Sequence, residues 1–121
     1  MKRICSTRLR WGLAVLAVGA SGCSASLQAF TPPPDEIYDP AVVESGEGIY
    51  LRVCATCHGR VGDGGTGPNI RQVWERLAPA EHLEIVVIGR NEMPAFGRSL
   101  SEEDVAAVVA YQRVGWPDPP G

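Results

Sequence analysis

The apolar positions of this chain fall into four helix-spaced groups, separated by segments rich in glycine and proline. Gly46, Ile49, Tyr50 and Val53 recur at i, i+3, i+4 and i+7, one face of a helix predicted over about 43–54. A glycine on that face costs about 1 kcal/mol relative to alanine, so its expected use is the close approach of a second helix. Ile70, Val73, Trp74 and Leu77 repeat the spacing and predict a helix over 70–77. A third helix begins near Pro79, a residue suited to a first turn, carries Leu83, Val86 and Val87, and stops near Gly89. The last opens on Ser101-Glu102-Glu103-Asp104, a cap with acids in the first turn. Its face is Val105, Val108, Val109 and Gln112, with Tyr111 at the shoulder. The fold class is therefore all-α, with a glycine-rich loop over 59–69 between the first two helices.

The ends follow a different pattern. Lys2, Arg3, Arg8 and Arg10 precede an apolar run over 11–20 that is too short to span a bilayer, and Ser21-Gly22-Cys23 follows. Basic, apolar and small segments in that order predict an export signal over 1–22. The small residues before Cys23 resemble the lipobox of bacterial lipoproteins, although Ala20 stands where a leucine is usual. That resemblance implies acylation of Cys23 and a lipid-anchored protein on the periplasmic side of a bacterial membrane. Cleavage after Ala25, which leaves a soluble periplasmic protein, is the alternative. Residues 23–42 contain Thr31-Pro32-Pro33-Pro34-Asp35, a stiff extended composition expected to act as a tether. The folded domain is expected over 43–116 and a proline-rich tail over 117–121.

Loss of the leader changes the charge. It removes 4 of 11 positive groups and none of the 14 acids, leaving a side-chain charge of −7. That balance excludes nucleic acid as a partner and favours a protein with a basic patch. Within the domain only two cysteines remain, in Cys54-Ala55-Thr56-Cys57-His58. Two cysteines three apart followed by a histidine form the attachment signature of c-type haem. The thiols make thioethers to one edge of the porphyrin, and His58 lies beneath the iron as proximal ligand. Zinc held by Cys54, Cys57, His58 and His82 and a thioredoxin-like dithiol are the competing chemistries. The dithiol would want a βαβ context, and no strand pattern surrounds the motif. A domain of this size buries little surface of its own, and a porphyrin at its centre would supply the missing core.

The sixth position of an iron needs a further ligand. Met93 is the only thioether beyond Met1, and it lies in Asn91-Glu92-Met93-Pro94-Ala95-Phe96-Gly97, where Pro94 disfavours helix at Met93. A rigid strap of this kind is suited to closing over a haem face. Met93 as core filler and His82 as ligand are the other readings, with His82 expected on a solvated helix face beside Glu81 and Glu84. Arg60, Arg71 and Arg90 are the candidate cations for haem propionates, and Trp74 is a candidate for the haem edge.

Taken together, Gly-x-x-x-Tyr leading into Cys-x-x-Cys-His-Gly, the loop ending in Gly67-Pro68-Asn69, Met93-Pro94-Ala95-Phe96 and a terminal helix with an aromatic resemble the small bacterial class I cytochromes c over about 43–114. The resemblance implies a small cytochrome c fold, about four helices around one covalent haem c, with terminal helices crossing at Gly46 and Tyr50 against Val108 and Tyr111. It implies that the Pro68 carbonyl accepts the hydrogen bond of the proximal His58, with His58 and Met93 as axial ligands. The implied function is one-electron transfer, not enzymatic turnover, to partners such as a dehydrogenase, a quinol-oxidising complex or a terminal oxidase. A place as the cytochrome subunit or partner of a dehydrogenase or oxidase is the secondary form of the same expectation. A haem enzyme or gas sensor with an open sixth site, and the thiol–disulfide oxidoreductase, are the alternatives.

Overall fold

The computed structural model describes residues 35–118. The predicted leader, Cys23 with its lipid, most of the tether and the last three residues of the tail lie outside the described residues. The described chain forms four helices: α1 Pro40–Val53, α2 Ala55–His58, α3 Pro79–Ile88 and α4 Glu102–Val114. Its strands are absent among the described residues, as the all-α expectation requires. None of these helices is long and apolar enough to cross a membrane.

The first helix begins three residues ahead of the predicted boundary at 43. Asp39 is extended and accepts from the Ala41 amide, and Pro40 fills the first helical position. Residues 40–42 of the predicted tether are therefore helical. The segment before them is also held. Glu36 forms a two-pronged ion pair with Arg113 of α4, whose guanidinium also donates to the Leu77 carbonyl at 2.9 Å. Tyr38 donates to the same carboxylate at 2.8 Å. Arg113 holds the Glu36 carboxyl below its ordinary value.

The predicted helix over 70–77 is not formed. The chain there makes a single 3-10 turn over Val73–Glu75. Its apolar residues Ile70, Val73 and Leu77 line the main cavity, so the helix-like spacing reflects orientation toward that cavity. Helix α4 starts as predicted: Ser101 accepts from the Asp104 amide at 3.1 Å, and Asp104 accepts from the Ser101 amide at 3.2 Å.

The core is the crossing of α1 and α4. Gly46 is the contact point: a Cβ built there would lie 2.6 Å from the Ala107 carbonyl carbon and 2.9 Å from Tyr111 Cβ. With no side chain in the way, the helices close to backbone distance and Tyr50 meets Tyr111 with ring centroids 5.4 Å apart. Trp116 completes the cluster, edge-on to Tyr50 at 4.9 Å and tilted on Tyr111 at 5.0 Å. The Tyr50 hydroxyl, raised in pKa mainly by burial, donates to the Gly59 carbonyl at 2.6 Å. One aromatic cluster thus fixes the helix crossing and the start of the glycine-rich loop together.

Candidate haem site

Cys54, Cys57, His58, Pro68 and Met93, the residues expected to hold the haem, line one cavity of about 980 Å³. Helix α2 delivers three of them. Cys54 caps its N-terminus, Cys57 stands in its last turn and His58 ends it. Both cysteines are free thiols, Cys54 buried and Cys57 exposed. Burial, with Cys57 as a smaller cause, pushes the Cys54 thiol up to about 11. A redox dithiol needs the opposite shift, so this argues against the thiol–disulfide reading.

His58 is 8% exposed. Its Nδ1 lies 2.9 Å from the Pro68 carbonyl and donates to it, which leaves Nε2 as the nitrogen available to a metal. The loop is shaped for this. Gly64 donates to the His58 carbonyl at 2.8 Å and Gly67 to the Cys57 carbonyl at 2.8 Å. A Cβ on Gly67 would stand 3.0 Å from both His58 Cε1 and Nδ1, so only glycine lets the following Pro68 carbonyl approach the ring without displacing it.

Met93 enters from another wall. Arg90 and Met93 exchange backbone hydrogen bonds at 3.1 and 3.0 Å, with Asn91 at φ 54 in the turn between them. Gly89 has φ 78, and a Cβ there would come within 2.6 Å of the Met93 carbonyl oxygen. Beyond Pro94, Phe96 and Gly97 donate to the Val86 and Val87 carbonyls, both at 3.0 Å. The segment is a strap fastened at both ends to the C-terminal half of α3.

Between these walls the lining is apolar, from Val53, Ile70, Val73, Ile85, Val86 and Phe96. Charged residues Arg76, Glu81, Arg90 and Glu92 also contribute to it. The size lies at the upper end of small-molecule sites, roughly 300–1,000 Å³. The donor set is two thiols, an imidazole nitrogen and a thioether around an apolar slot. It fits a porphyrin iron with covalent attachment, and it suits no bare ion: among the described residues no group of three or more His, Cys, Asp or Glu could hold one.

Three candidates from the sequence fall elsewhere. Arg71 is 1% exposed and turned away from the cavity, donating to the Val61 and Pro117 carbonyls. Arg60 is exposed and Trp74 half-buried, and neither lines the cavity. Arg90 does line it, with Glu81 at 3.9 Å, and so does Arg76, which sequence reasoning missed. His82 was expected at the surface and is 4% exposed, in the cavity wall. The reason is register. His82 is one helical turn before Val86, on the buried face of α3, while Glu81 and Glu84 are exposed. Burial pushes its pKa down to about 4, opposed by a hydrogen bond from the ring to the Gln112 side chain, and its Nδ1 has no partner.

Residues 41–111 match the family model described as "Cytochrome C oxidase, cbb3-type, subunit III". The chain belongs to that family: it is a c-type cytochrome. Its cofactor is one covalently bound haem c, the group that the cavity's residues fit. The cytochrome is 36% identical over 69 residues to dihydro-heme d1 dehydrogenase of Pseudomonas aeruginosa, a match covering 54% of this chain and 14% of the relative. It is 35% identical over 86 residues to cytochrome c-555 of Methylococcus capsulatus, covering 69% and 63%. Among solved structures, cytochrome c6 of the diatom Phaeodactylum tricornutum superposes with a TM-score of 0.52 at 33% identity, over 58% of this chain and 88% of the other. The matches thus span less than two thirds of the curated relatives' own length, and for the dehydrogenase about one seventh.

Proposed function

We propose that this cytochrome carries single electrons between redox partners on the periplasmic side of a bacterial membrane, held there by lipid on Cys23. The observation that carries the reading is the His58–Pro68 hydrogen bond within a cavity that also takes in Cys54, Cys57 and Met93. Bound haem supplies a one-electron iron couple. The chain's own residues do the rest. Cys54 and Cys57 anchor the ring by thioethers. His58 presents Nε2 because Nδ1 is committed to Pro68, which fixes the tautomer and raises the basicity of the ligand. Met93 offers its sulfur from the strap, favouring the ferrous form and a high potential. The apolar walls from Val53, Ile70, Val73, Ile85, Val86 and Phe96 would limit the access of water to the iron.

Met93 on the sixth position would leave no site open to a substrate or gas, so the strap favours a carrier over an enzyme or sensor. The sequence similarity to a stretch of a dehydrogenase supports a dehydrogenase as one class of partner. A quinol-oxidising complex and a terminal oxidase are the others. The excess of acids favours a partner with a basic docking face.

The experiment is to produce the full chain in a host that matures c-type cytochromes. Haem should remain attached through extraction with acidified organic solvent, and Cys54→Ala with Cys57→Ala should abolish the attachment. Met93→Ala should remove the weak long-wavelength band of sulfur-ligated ferric haem, lower the potential and open the iron to cyanide. His82→Ala should leave all three unchanged. Extractable haem in the parent would defeat the attachment, and opening of the iron by loss of His82 in place of Met93 would defeat the ligand set.

A further inference from the structure

Arg71 is among the largest fully buried side chains of the molecule, at 1% exposure, yet no carboxylate pairs with it among the described residues. A buried guanidinium is costly unless its donors are satisfied. Arg71 satisfies them with main-chain carbonyls: Nη1 donates to Val61 at 2.8 Å and Nη2 to Pro117 at 3.0 Å, while Nε is left without a partner. Its own amide donates to the Asn69 side chain at 3.0 Å, and the neighbouring Ile70 amide donates to the Gly62 carbonyl at 2.9 Å. The residue therefore joins three things: the beginning of the glycine-rich loop at Val61, its end at Asn69, and the C-terminal segment at Pro117. Trp116 adds to the same seam, for a Cβ on Gly62 would stand 2.6 Å from its ring.

What lies inside the closed loop is Pro68, whose carbonyl holds His58. A guanidinium has two nitrogens in one plane to span the two carbonyls, and an ammonium is a single point. We propose that Arg71 is a positioning residue for His58. By clamping the loop at both ends against the C-terminal segment, it keeps the Pro68 carbonyl on His58 Nδ1 and so sets the orientation and basicity of the proximal ligand. The inference rests on the reading of His58 as that ligand. It gives the C-terminal segment a part in the haem site although the segment does not line the cavity.

The test is exchange of the His58 Nδ1 proton with solvent, followed by NMR in the haem-loaded full chain. Its rate is taken relative to that of the Val108 amide in the core, which reports global opening. In the ferric parent this proton should carry a large shift from the iron. Absence of the shift would count against His58 as ligand and is read separately from the Arg71 comparison. Arg71→Lys keeps the charge but cannot hold both carbonyls, and the relative exchange rate should rise at least tenfold. Ending the chain after Trp116, with the new terminus amidated so that no carboxylate faces the guanidinium, removes residues 117–121 and with them the Pro117 carbonyl and should raise it less, in the same direction. If Arg71→Lys does not load haem, the shortened chain decides alone. A relative rate equal to the parent's in the variants that load overturns the proposal and leaves Arg71 as a pin for the tail only.

Discussion

Two glycines two residues apart on α1 give a sharp test of the packing that holds the haem site together. Gly46 faces α4, whereas Gly48 faces only the tip of its own neighbour Arg52, with Nη1 3.2 Å from a built Cβ. Alanine at Gly46 must retreat from the Ala107 carbonyl, whose oxygen is its nearest contact and whose carbon lies at 2.6 Å; bringing the carbon alone to the 3.4 Å of ordinary contact needs an opening of at least about 0.8 Å. A gap of that size forfeits a quarter to a half of the dispersion at each facing contact. The seam includes Ile49, Tyr50, Val108 and Tyr111, all buried. With about 2 kcal/mol from burial of each, loss of a quarter to a half costs about 2–4 kcal/mol. The gain of alanine over glycine in helix offsets about 1 kcal/mol. Gly46→Ala should therefore lose about 2 kcal/mol, a fall of roughly 10 °C in Tm for a domain of this size. Gly48→Ala meets only a mobile side-chain end and should gain up to about 1 kcal/mol from the same helix term. Both are measured by thermal and denaturant unfolding of the oxidised, haem-loaded full chain, followed by circular dichroism. Equal responses of the two variants, or a Gly46→Ala protein as stable as the parent, would refute the idea that backbone contact at this crossing sets the stability.

Two further outcomes are expected. His82 stays neutral in the folded chain down to about pH 4, while the unfolded chain takes up the proton near pH 6.5. Stability should thus be full above pH 6.5 and decline as the pH falls, by about 2–3 kcal/mol at pH 4.5; His82→Leu should flatten that decline, and an unchanged slope would contradict the assignment. Cys23→Ser should release the protein from membranes or block its maturation, and membrane fractionation equal to the parent's would rule out the lipid anchor.

The residues of the candidate haem site could be grouped from the sequence because they are local in it. Cys54, Cys57 and His58 need only one turn of helix to act together, and Pro94 marks the strap that carries Met93. What the pattern misjudged depends on packing partners that hydrophobic spacing does not report. Ile70, Val73 and Leu77 have helical spacing but line the cavity from a chain that turns only once, since in a domain whose core is partly cofactor an apolar residue can be satisfied by the ring without forming an amphipathic helix. The start of α1 was missed because its signal is a cap, Asp39 before Pro40, ahead of any apolar repeat. His82 could have been placed by counting back one turn from Val86, had its acidic neighbours not suggested solvent. The two buried arginines carry no such signal. Arg113 is covered by Glu36, 77 positions away, and Arg71 by carbonyls of the loop and the C-terminal segment. A guanidinium can be buried wherever distant chain supplies oxygens, so its burial is a property of the topology, and in this cytochrome it is topology that ties both flanking segments to the haem domain.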